Sequence, residues 1–127
     1  MSKHDPVASL RQMADLGIEA QTLVAGYTLD SLVTDRVRTL ALERLMECIG
    51  EAVKRLPAEL RDRYPAADWK RAAGMRDWLV HGYDGVDHSI LWKAVHERLP
   101  ELLETVAQML ADLGGEPPAD GATDEEE

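Results

Sequence analysis

Apolar residues recur along most of this chain at steps of three and four, in long runs broken by short Gly, Pro or Asp clusters. No strand-like alternation persists, so the pattern predicts helices throughout. A first helix is expected from Pro6 to Val24, with Leu10, Met13, Ala14, Ile18, Ala20 and Leu23 among its apolar positions and Gly26 ending it. Thr28 to Asp35 reads as a connector with one helical turn over Leu29 to Val33. The clearest helix follows: Val37, Leu40, Ala41, Leu45, Met46, Ile49, Ala52, Val53 and Leu56 make one broad apolar face, and Pro57 stops it.

Residues 58–66 suit a short turn closed by Pro65, and Asp68 is placed to cap a helix starting at Trp69. That helix carries Ala72, Ala73, Met75, Leu79 and Val80 up to Gly82 and Gly85. Asp87 can cap the last helix, whose apolar set is Ile90, Leu91, Val95, Leu99, Leu102, Leu103, Val106, Met109 and Leu110. Pro100 lies inside this run; it has no N–H and clashes with the carbonyl of His96, which predicts a kink or two abutting helices near Leu99. The expected fold is all-α: an antiparallel bundle of four main helices plus short connecting helical turns. Residues 1–115 form the single expected domain, and residues 116–127 an acidic tail without fixed structure.

Composition sharpens this picture. The chain has 127 residues, 45% of them hydrophobic, enough for one modest core. Its net charge of −10 disfavours a surface that coats DNA or membranes. Six acids and no bases fall in residues 116–127, and without them 14 bases face 18 acids, so a local basic site remains possible. The lone Cys48 has no partner for an internal disulfide or a CxxC motif and reads as a core residue. No signal-peptide pattern opens the chain and no window suits a membrane span, which places the expected protein in the cytoplasm.

The reactive groups concentrate in one place. The run RAAGMRDWLVHGYDGVD over residues 71–87 sets Arg76, Asp77, His81, Tyr83 and Asp84 within nine residues. On a continuous helix Arg76 and His81 stand about 140° apart, so they converge only if the helix ends before His81 or a second subunit completes the site. Arginine offers a planar fork of donors for phosphate, and histidine exchanges protons near neutrality. With no metal cluster or phosphate-cradling glycine loop in the sequence, the pair fits cleavage of RNA. The ribose 2′-OH is then the internal nucleophile, His81 moves protons and Arg76 stabilises the phosphorane. Tyr83 can orient His81, stack on a base or carry a modification.

These residues resemble the motif of HEPN domains, and more closely that of the HepT toxin branch: arginine, four residues, histidine, any residue, tyrosine. Here they are Arg76, His81 and Tyr83. The run IGEAVKRL from Ile49 to Leu56, the run from Gly74 to Asp87, and the later ILW and LPELLE also resemble the family, over roughly residues 36–110. The resemblance implies a helical bundle that forms homodimers, with the motif lining a cleft between subunits. It implies a metal-independent ribonuclease acting on RNA without cofactors, the toxin of a type II toxin–antitoxin pair. It also implies an MntA-like nucleotidyltransferase antitoxin as partner, able to transfer AMP to Tyr83; an anionic group there would block the phosphate site beside Arg76 and His81. Asp77 and Asp84 become supporting or orienting groups, although Asp84 stands where the family commonly has an aromatic residue. The alternative is a catalytically inactive HEPN-like dimer serving as a binding or regulatory module for a nucleotidyltransferase.

The remaining candidates read more simply. Trp69, Trp78 and Trp92 suit core or dimer-interface packing better than base stacking. His88 and His96 are too far apart on one helix to share a metal, and His4 has no assigned role. Glu51 reads as a solvated or ion-paired carboxylate. Arg61, Arg63, Lys70 and Arg71 are a candidate flank for guiding RNA, interrupted by Asp62 and Asp68. An over-supplied apolar face in a bundle of this size also predicts a twofold dimer.

Overall fold

The computed structural model describes residues 5–74 and 88–114. Helix α1 spans Pro6–Val24 and opens as its sequence requires: Asp5 accepts the amide of Val7 at 3.0 Å, and Pro6 takes the first position, where no N–H is needed. Gly26, at a φ of 81°, lets the chain reverse into α2, Leu29–Val33. Thr28 and Ser31 close a reciprocal capping box around that short helix. Helix α3, Arg36–Arg55, begins on Asp35, which accepts the amide of Arg38 at 3.0 Å. This bond is the chief reason the Asp35 carboxyl sits below the usual carboxylate range; burial opposes it, and the Arg38 and Tyr27 side chains add smaller lowering effects.

Pro57 stops α3 as expected, and α4 covers Ala58–Asp62. Residues 69–74 form α5. Helix α6, His88–Lys93, runs into a π-helical turn at Ala94–Arg98 and then into α7, Leu99–Asp112. The described residues are all helix, turn and connector, so the fold is an all-α bundle. None of these helices is long and apolar enough to cross a membrane.

Helix α1 packs against both α3 and α7, and this three-way seam is the core. Leu10, Met13, Leu42, Ile49, Val53, Leu99, Met109 and Leu110 are buried there. Gly17 lets α1 and α7 approach closely: a β-carbon built on it would lie 2.5 Å from Leu103 Cδ2. The polar residues Ser9, Thr39 and Thr105 are also buried. Thr39 turns its hydroxyl back to the carbonyl of Arg36 at 2.9 Å, which removes the cost of burying it.

The sequence pattern was too generous in four places. Ile18, Val37 and Leu40 were expected on apolar core faces, yet they are 48%, 79% and 46% exposed. Spacing alone makes the stripe too wide, because α1 and α2 cover only part of the first turns of α3. Cys48 is half-buried rather than a core residue. The disturbance predicted near Leu99 is present as two helical segments that abut there. The run widens into the π turn ahead of α7, where the amide of Leu99 reaches back to the carbonyl of Ala94. Pro100 cannot donate to His96, and the wider turn accommodates the lost bond ahead of it. With more residues per turn, four steps from Val95 bring Leu99 nearly a full revolution round, so both stay on the buried face.

Candidate functional site

Arg76, Asp77, His81, Tyr83 and Asp84 lie outside the described residues, as do Trp78 and the expected cap Asp87. What the structure shows is how the two helices bracketing them are held. On the leading side, Asp68 caps α5 as predicted, accepting the amide of Arg71 at 3.0 Å. Trp69 is buried, and its indole N–H is shared between the carbonyls of Arg61 and Tyr64 at 3.1 and 3.0 Å. The Tyr64 hydroxyl in turn donates to Asp112 Oδ2 at 2.7 Å, tying the approach to α5 onto the end of α7. That bond holds the Asp112 carboxyl below its ordinary value, assisted by Gln108, and pushes the Tyr64 hydroxyl above its own. Trp69 is therefore a core residue, one of the two packing roles expected for it.

On the trailing side, α6 buries Leu91, and Trp92 is partly buried against the core. Its ring lies 3.9 Å from that of the exposed His96, whose Nδ1 is 3.0 Å from the Trp92 carbonyl oxygen. Glu43 on α3 lies within electrostatic reach of His88. Burial is the main cause that raises its carboxyl above the usual range; Glu47 adds to this, and His88 and Arg36 oppose it.

Between these two supports lies a small cleft of about 50 Å³ that opens to solvent. Met46 and Ile49 of α3, with Ala94, Leu99 and Leu102 of the last helical run, make it predominantly apolar. Ala72 and Arg71 of α5 line one side, and Arg98, Asp68 and Glu101 complete the mouth. The sequence pattern set Met46, Ile49, Leu99 and Leu102 on apolar faces, passed over Ala94, and missed the cleft, because the rim combines residues some 30 positions apart.

The four basic residues considered as an RNA flank sit in different surroundings. Arg71 Nε pairs with Asp68 at 3.4 Å, the Arg63 guanidinium sits 6.0 Å from the Tyr64 ring centre, and Arg61 Nε is buried with no partner among the described residues. Lys70 is exposed. Among the described residues no three His, Cys, Asp or Glu side chains converge as a metal site.

The run resembling IGEAVKRL is structural in character: Ile49, Ala52, Val53 and Leu56 are all buried in the core. A family model described as "Ribonuclease HepT-like" matches residues 7–109, nearly the whole described bundle. The chain belongs to the HepT-like ribonuclease family. Similar relatives include "Putative RNase TTE0752" of Caldanaerobacter subterraneus, 44% identical over 68% of this chain and 78% of that protein. "Putative RNase MJ1216" of Methanocaldococcus jannaschii is 30% identical over 91% and 95% of the two chains. "Probable ribonuclease HepT" of Thermococcus cleftensis is 38% identical over 66% and 80%. No solved structure matches. The HepT-like match begins at residue 7, so it takes in α1, which lies outside the stretch of roughly residues 36–110 that carries the motif resemblance.

Proposed function

We propose that this HepT-like protein is a metal-independent endoribonuclease, the toxin of a type II toxin–antitoxin pair. The observation carrying this reading is the family match over residues 7–109 around a chain segment with the spacing Arg76, His81, Tyr83. In the proposed reaction the ribose 2′-oxygen attacks the adjacent phosphorus and gives up its proton. The P–O5′ bond breaks, the 5′-oxygen takes a proton, and a 2′,3′-cyclic phosphate remains. His81 moves the protons, Arg76 holds the phosphate oxygens as their charge builds, and Asp77 and Asp84 orient the pair.

The site is completed by a second copy of the chain. The exposed Val37 and Leu40, with Val33 at 45% exposure at the end of α2, supply apolar surface suited to such a pairing. The proposed antitoxin is an MntA-like nucleotidyltransferase that transfers AMP to the Tyr83 hydroxyl, setting an anion where RNA phosphate would bind.

The test is incubation of the purified, unmodified chain with mixed RNA in EDTA beside Arg76→Ala and His81→Ala. Cleavage by the parent alone, leaving 2′,3′-cyclic phosphate ends, is the expected result. No cleavage by a parent whose mass shows an unmodified Tyr83 would overturn it in favour of an inactive binding module.

A further inference from the structure

The cleft between α3, α5 and the π turn has a chemistry of its own. Its floor, with Met46, Ile49 and Leu102, is apolar, while among the described residues its mouth carries Arg71, Arg98, Asp68 and Glu101. Carboxylates at the mouth make a poor phosphate well, because they repel an anion and Asp68 already pairs with Arg71. The cleft suits a flat, neutral ring instead. The floor buries the ring face, a guanidinium plane stacks on the other face, and a carboxylate accepts from an exocyclic amine.

Arg98 is the group free to stack: it is exposed and makes no ion pair among the described residues, whereas Arg71 is drawn to Asp68 at 3.4 Å. The π turn brings it there, since Ala94 at one end of the turn lines the cleft and Arg98 at the other stands at its mouth. Such turns recur at functional sites. Ala72, on the opposite wall, precedes Arg76 by only four residues.

We propose that this cleft is a nucleobase subsite, taking one unstacked base of a single RNA strand beneath Arg98. The proposal rests on the ribonuclease reading above and adds to it where the substrate is gripped.

Fluorescence anisotropy of a fully 2′-O-methylated RNA strand, which cannot be cleaved, measures binding by the full chain apart from catalysis. Ala72→Phe, which fills the cleft, and Arg98→Ala are each expected to weaken binding about tenfold, the scale of one stacked base. Arg98→Lys restores little, because an ammonium has no plane to stack. A strand of the same backbone without bases is expected to bind parent and variants alike. Arg98→Ala changes an exposed residue, so it carries the test even if Ala72→Phe fails to fold by circular dichroism.

Unchanged affinity in Arg98→Ala, full rescue by Arg98→Lys, or an equal loss on the baseless strand would each overturn the subsite. So would a parent that binds no RNA, or a cleft whose filling disturbs only capture of a nucleotidyltransferase. The cleavage assay separates the two ideas. Cleavage with unaltered binding in the variants removes the subsite and keeps the ribonuclease; base-dependent binding without cleavage does the reverse.

Discussion

Helix α3 and the run from α6 through α7 are similar in length and both face α1, yet they are built differently. Helix α3 is regular over its 20 residues and sends Leu42, Met46, Ile49 and Val53 into the core at unbroken helical spacing. The last run is interrupted by the π turn, starts where the motif-bearing segment ends, and lines a cleft along that interruption. The contrast separates two tasks. A regular helix maximises burial, while a helix that must also shape a cavity accepts a local departure and recovers its packing on either side.

Substitutions test this division. Leu42→Ala in α3, at a fully buried position, should cost about 2–5 kcal/mol in urea unfolding, the most damaging change expected outside the motif. A loss well below that would mean that α3 is not the centre of the frame.

Gly17→Val tests the seam between α1 and α7, where the added carbons meet Leu103. It should cost about 1–3 kcal/mol, with part of the loss returned by a second change, Leu103→Ala. Additive losses would show that the two side chains do not compete for one space.

The smallest effect is expected at the end of α7. Tyr64→Phe removes the bond to Asp112 and should lower the melting temperature slightly at neutral pH. Because Asp112 is held below its ordinary value, the tie stabilises fully above the normal carboxylate range and is lost as pH falls through the depressed value. Because Tyr64 is pushed above its own ordinary value, the tie is also lost as alkaline pH passes the raised value. Parent and variant melting curves should therefore converge at both extremes; a gap that persists in acid would assign the effect to packing.

Much of this architecture was legible before the coordinates. The bounds of α1, the turn over Leu29–Val33, the stop at Pro57 and the Asp68 cap all follow from local rules in which one residue supplies or withholds a backbone bond. Exposure at Val37 and Leu40 was not legible, because it depends on which neighbour covers a face rather than on the face itself. Gly17 drew no notice, since its role exists only once Leu103 lies across it. The candidate chemistry was legible only as the spacing of Arg76, His81 and Tyr83, residues that lie outside the described ones. The cleft was not legible, being assembled from three separate stretches of chain.

The π turn also matters for comparing sequences. A wide turn is equivalent to one residue inserted into an otherwise regular helix. Against a relative whose last helix runs straight, the correct correspondence therefore shifts by one between Val95 and Leu99. A gap-free alignment across that stretch would set the exposed Arg98 opposite a core residue and misassign every position on one side. Against such a relative, reading substitution patterns then requires a one-residue gap inside a helix.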